Sequence, residues 1–128
     1  MSHVTKAKIK IKNPRMEILE LALRILAKKI GGKVVRNTTI YGYRMREEVP
    51  LAVLVRLPYG NGYGIKVENG EVVVVVDEHG APLSAEQFAK ELQKNYVVVA
   101  TRLVAEKLGW DIASIRQYRD LISIELVR

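Results

Sequence analysis

The chain has 128 residues, 48% hydrophobic and 27% charged, a length and balance that predict one globular domain, residues 1–128, and argue against a disordered or membrane-spanning class. It contains no Cys, which excludes disulfides, thiolate catalysis, iron–sulfur ligation and Cys-type zinc sites. The formal charge of +7 is uneven: residues 1–46 hold twelve Lys and Arg against two acidic residues, and residues 47–128 hold nine against twelve, so a basic sector on a nearly neutral body points to a polyanionic partner.

Residues 1–12 alternate Lys with apolar side chains instead of setting a charged stub before an apolar run, so no secretory signal is expected. The apolar run 18–30 is broken by Glu20, Arg24, Lys28 and Lys29, well short of the ~20 apolar residues of a membrane helix. A cytoplasmic protein with no membrane contact is the expectation. Abundant Lys, Glu and Arg with no Cys also match a heat-adapted composition.

In chain order, residues 5–12 place Lys6, Lys8, Lys10 and Lys12 on one side and Ala7, Ile9 and Ile11 on the other, which is a half-buried strand. Asn13 is the expected N-cap and Pro14 the first residue of a helix, because Pro needs no amide hydrogen there. Met16, Leu19, Leu23, Leu26 and Ile30 draw one apolar stripe along that helix, and Gly31-Gly32 ends it. Residues 33–46 are rich in β-branched and aromatic side chains and read as one strand with a bulge at Gly42; residues 51–57 read as a strand covered on both faces or a central one. Asn61-Gly62 and Asn69-Gly70 are turns, the second joining strands 65–68 and 71–76 as a hairpin.

Ser84 and Gln87 form a capping box for a second helix, with Leu83 stapled to Phe88 across it. Phe88, Leu92, Tyr96, Val99 and Leu103 continue its apolar stripe to Gly109, although Val97, Val98 and Val99 need tertiary packing to remain helical. Strands 114–118 and 121–127, joined at Arg119-Asp120, close the chain. The order β-α-β-β-β-β-α-β-β predicts an α+β fold: one antiparallel-rich sheet of about seven strands with both helices on one face, a ferredoxin-like core enlarged by a hairpin.

Several short segments spread over the chain carry a family resemblance: Met1-Ser2-His3 opening onto an alternating strand, Gly31-Gly32, Tyr41-Gly42-Tyr43-Arg44, Leu54-Val55-Arg56, Gly64-Ile65, Asn69-Gly70 before Asp77, Tyr96, and Gly109-Trp110. On these the chain resembles the family known as domain of unknown function 1257, a conserved reading frame of plastid and cyanobacterial genomes. The Val72 to Val76 run and the alternating lysines depart from that pattern. The resemblance implies a fold and brings no catalytic residues, cofactor or activity with it.

Four lysines at two-residue intervals of ~6.6 Å on Lys6, Lys8, Lys10 and Lys12 match the spacing of successive phosphates in an extended single strand, which makes them candidates for nucleic-acid binding. A solvated face, or an edge strand using Lys against aggregation, would look the same. Arg36, Arg44 and Arg46 are further candidates, with Tyr41, Tyr43 and Tyr118 as stacking candidates, since rings mixed with guanidinium groups hold bases and phosphates. On one continuous strand, however, Tyr41 and Tyr43 would face away from Arg36, Arg44 and Arg46.

The Gly-rich segment 59–64 lacks the following Lys-Ser/Thr and helix of a phosphate loop and reads as a turn. Asp77-Glu78-His79 reads as a solvated surface connection, because three consecutive side chains do not converge on one metal. No catalytic residue, metal site or cofactor is assigned. The first functional reading is a noncatalytic basic protein engaging nucleic acid or a ribonucleoprotein; the second is an adaptor that binds a protein partner or itself as a homo-oligomer.

Overall fold

The structure, a computed structural model, describes residues 5–118 and 121–128, and the side chains of residues 5, 7–10, 12, 118 and 121 lie outside the described set. The predicted order of elements is present: β1 Thr5–Lys12, α1 Met16–Ile30, β2 Lys33–Gly42, β3 Met45–Leu54, β4 Gly62–Glu68, β5 Glu71–Val76, α2 Ala85–Leu108, β6 Asp111–Tyr118 and β7 Leu121–Val127. The expected single sheet of seven strands is not: five strands form an antiparallel sheet in the order β1-β5-β4-β3-β2, and β6 and β7 form a separate pair. In a ferredoxin-like arrangement the strand after the second helix would return beside β1. Here α2 has 24 residues, ~36 Å of helix, against the ~20 Å of the six-residue β5, so it carries the chain past the sheet and β1 stays an edge.

Both helices pack on one face of the five-stranded sheet, but the predicted stripes outrun the core, since Met16 of the first and Leu103 of the second are exposed. Leu19, Leu23 and Leu26 of α1 and Phe88 and Leu92 of α2 bury Leu51, Val53, Tyr63, Ile65, Val72, Val74 and Val76 beneath them. The Tyr63 ring stacks on Phe88 at 4.3 Å. Its hydroxyl donates to the Leu83 carbonyl and accepts the Leu83 N–H, so the phenol is satisfied despite its depth, and burial pushes its pKa up.

The start of α2 is the predicted one: the Ser84 hydroxyl accepts the Gln87 N–H, and the Gln87 side chain accepts the Ser84 N–H. The start of α1 differs from expectation. The helix begins at Met16, with Arg15 in the N-cap position and no side-chain cap. Asn13 adopts a left-handed φ of 51° and its N–H donates to the Gly70 carbonyl, so it turns the chain out of β1 while the Tyr96 hydroxyl, from α2, accepts the Arg15 N–H.

The chain from 33 to 46 is also corrected. Instead of one bulged strand it is most of a hairpin: β2 reverses at Tyr43-Arg44, where Arg44 has φ 59°, and returns as β3, which therefore begins at Met45 and not at Leu51. Only Leu51 to Leu54 of β3 pair with β4. The rest of the hairpin, bent at Asn37 with φ 50°, leaves the sheet as an arm and folds back over the face opposite the helices. Gly64 permits the contact, since a Cβ there would lie 2.7 Å from Val49 Cγ1 and 2.8 Å from Ile40 Cγ1. With helices on one side and the arm on the other, all five valines of β5 are buried, which accounts for the unbroken Val72 to Val76 run.

Candidate functional site

Three polar side chains fix the arm. Asn61 imitates a strand partner: its side-chain oxygen accepts the Tyr41 N–H at 3.0 Å and its amide donates to the Thr39 carbonyl at 2.9 Å. Asp77, 1% exposed at the end of β5, accepts the Tyr43 N–H at 2.9 Å with one oxygen and the His79 N–H at 3.2 Å with the other. Glu47 lies between two lysines of the sheet, 2.7 Å from Lys66 Nζ and 3.3 Å from Lys6 Nζ. Burial raises the Glu47 pKa, but the hydrogen bonds and charges of Lys66 and Lys6 outweigh that and hold it below the usual carboxylate range.

The docked arm gathers side chains that sequence parity had set on opposite faces. Reversal at Tyr43-Arg44 puts Arg46 directly opposite Tyr41 in the ladder, and directly opposed residues of an antiparallel pair share a face. At the turn itself, the Arg44 guanidinium sits over the Tyr43 ring at 5.3 Å. Tyr43 meets Tyr59 edge-on at 6.5 Å, and Tyr59 lies against His79 at 5.0 Å. Tyr41, Tyr43 and Tyr59 are 49%, 46% and 47% exposed. Arg46 is exposed and has no hydrogen-bond or ion-pair partner among the described residues.

Two members of this cluster, Tyr59 and His79, are absent from the sequence-level candidates. Tyr59 belongs to the Gly-rich turn and His79 to the connection after β5, and neither segment signals in sequence that it meets the tip of β2 and β3. Gly42 and Gly60 are the traces of that meeting: a Cβ on Gly42 would lie 2.4 Å from Asp77 Cβ, and one on Gly60 would lie 2.8 Å from the Tyr41 carbonyl. The connection itself is less solvated than expected. Asp77 is buried, and Glu78 accepts the Ala85 N–H at 2.6 Å in the first turn of α2, where a carboxylate also suits the helix dipole.

Arg36 and Lys6 are engaged away from the cluster. Arg36 is held by Glu20 through two hydrogen bonds of 2.6 and 2.7 Å. Lys6 reaches Glu47 and, at 4.0 Å, Glu68, so its ammonium group faces carboxylates. The side chains of Lys8, Lys10, Lys12 and Tyr118, like residues 1–4 and the Arg119-Asp120 turn, lie outside the described residues.

Among the described residues there is no group of three or more His, Asp or Glu that could hold a metal ion, and no helix long and apolar enough to cross a membrane. The Asp77 and Glu78 carboxylates are already engaged by backbone amides, so the chemistry offered at the tip is that of exposed rings and guanidinium groups. No protein-family model, curated protein or solved structure matches the chain.

Proposed function

We propose that the protein is a noncatalytic binding domain for single-stranded nucleic acid, whose contact surface is the tip of the β2 and β3 arm with Tyr59 and His79 beside it. The observation that carries this reading is the array of Arg44, Tyr43, Tyr59 and His79, in successive contact at 5.3, 6.5 and 5.0 Å and open to solvent along its length. Rings left half in water retain faces on which bases stack, an interaction worth about 1–3 kcal/mol per base and indifferent to sequence. Arg44 and Arg46 add charge where a phosphate backbone would run.

Lys6 takes a smaller part in this reading than its place in the lysine spacing alone implies, because it is already matched by Glu47 and Glu68. A salt series of filter-binding measurements on a single-stranded oligonucleotide separates the two surfaces. Arg44→Gln with Arg46→Gln should weaken binding and reduce the salt slope by ~1.4. Lys6→Gln should leave the slope nearly unchanged. The reverse pattern would move the contact surface to β1 and sink the assignment to the arm.

A further inference from the structure

The outward face of the arm continues below its tip. Ile40 and Val49 point inward onto Gly64, and Glu47 points inward to Lys66, so strand alternation turns Thr39, Tyr41, Arg46 and Glu48 outward. The ladder sets Tyr41 opposite Arg46 and, one row further from the tip, Thr39 opposite Glu48. At that second row, beside the bend of the arm at Asn37, a pocket of about 440 Å³ opens to solvent, lined by Asn37, Thr38, Thr39, Glu48, Val49 and Pro50. Its volume is in the range of small-ligand sites, ~300–1,000 Å³.

Among these lining residues the only charged group is the Glu48 carboxylate, which is exposed and has no hydrogen-bond or ion-pair partner among the described residues. Its neighbour Glu47 is matched by Lys66 and Lys6; Glu48 is not. A carboxylate repels phosphates, so on a face that meets a nucleic acid its use lies with the bases. What it accepts best is two N–H donors side by side. Among the bases of RNA only guanine presents that pair, with N1–H and the N2 amino group adjacent on its Watson–Crick edge. Adenine and cytosine set their amino group beside a ring-nitrogen acceptor, and uracil flanks its one N–H with two carbonyls, so a carboxylate there meets a lone pair.

We infer that this pocket is a guanine subsite of the single-strand surface, with Glu48 as its specificity-determining residue. The inference rests on the nucleic-acid reading of the arm tip and adds one base that is read to rings that are indifferent to sequence. Successive rows of a strand face lie ~6.6 Å apart, a step that an extended single strand can follow, so a base stacked on Tyr41 sets its neighbour over Thr39 and Glu48. Glu48 accepts N1–H and N2–H of that guanine, with the Thr39 hydroxyl opposite as a donor for O6.

Fluorescence anisotropy with three labelled RNAs of about nine nucleotides tests this: all uridine, the same strand with a central guanosine, and the same with a central inosine, which keeps N1–H and lacks the N2 amino group. Wild type should bind the guanosine strand roughly 10-fold more tightly than the uridine strand, with the inosine strand between them. Glu48→Gln should remove the preference. By taking a negative charge from the path of a polyanion, it should also tighten binding of the uridine strand, which a merely structural role for Glu48 would not do. Equal affinity of wild type for the uridine and guanosine strands, or a guanine preference that survives Glu48→Gln, would overturn this inference and leave the reading of the tip standing. Binding of none of the three RNAs would overturn both.

Discussion

The carboxylate of Asp77 accepts the backbone N–H of Tyr43 at 2.9 Å across 34 positions of sequence, joining the end of β5 to the tip of the arm. Asp77 is almost fully buried, so its loss would leave the Tyr43 and His79 amides without their acceptor. Asp77→Ala should cost about 1–3 kcal/mol in urea denaturation. Gly42→Ala should cost a similar ~1–3 kcal/mol, because its Cβ would press on Asp77. A neutral result for both would mean that the tip is not held by this contact.

Glu47 makes the docking of the arm sensitive to acid. Its folded pKa lies below its unfolded value, so the stabilisation is present above the unfolded value and is lost as pH falls through the folded one. Wild type should therefore lose stability relative to Glu47→Gln as pH falls through the ordinary carboxylate range and below it. A gap between the two proteins that stays constant over that range would contradict the pairing with Lys66 and Lys6.

Leu92 and Ser84 test the helix face of the sheet separately from the arm. Leu92 is fully buried between α2 and the sheet, and Leu92→Ala should cost about 2–5 kcal/mol. Ser84→Ala should cost ~1 kcal/mol, by leaving the Gln87 N–H without its acceptor. Denaturant melts showing the cap to matter more than the core residue would reverse the order of these two contributions.

Local chemistry made the helix side of this fold legible. The stripe of Leu19, Leu23 and Leu26, the Ser84 and Gln87 box, the Asn69-Gly70 turn and the glycine stops at Gly31 and Gly109 all act within a few residues of themselves. The arm was not legible for the opposite reason. Neither Tyr43 nor Arg44 is a turn former, and their reversal is held by Asp77 from the far end of β5 and flanked by Asn61 bonding Tyr41 and Thr39. Reading residues 33–46 as one strand then assigned the wrong parity to Arg46, which the hairpin returns to the side of Tyr41.

The site inherits the same division. Tyr41, Tyr43, Arg44 and Arg46 were visible as residue types, whereas Tyr59 and His79 became part of a site only through the meeting of three loops. Lys6 shows the converse: a regular spacing identified it, but its carboxylate neighbours Glu47 and Glu68 come from β3 and β4.

The most direct test of the proposed function is fluorescence anisotropy of a labelled single-stranded RNA with wild type and with Tyr43→Ala combined with Tyr59→Ala. Both rings are about half exposed, so the fold should survive their removal, as a denaturant melt of the same sample would verify. Removing two stacking faces at about 1–3 kcal/mol each should weaken binding at least ~10-fold while the salt slope stays near its wild-type value. Saturable binding by wild type that collapses in the double variant is the predicted result; no binding at low salt, or equal affinity for the two proteins, would contradict it.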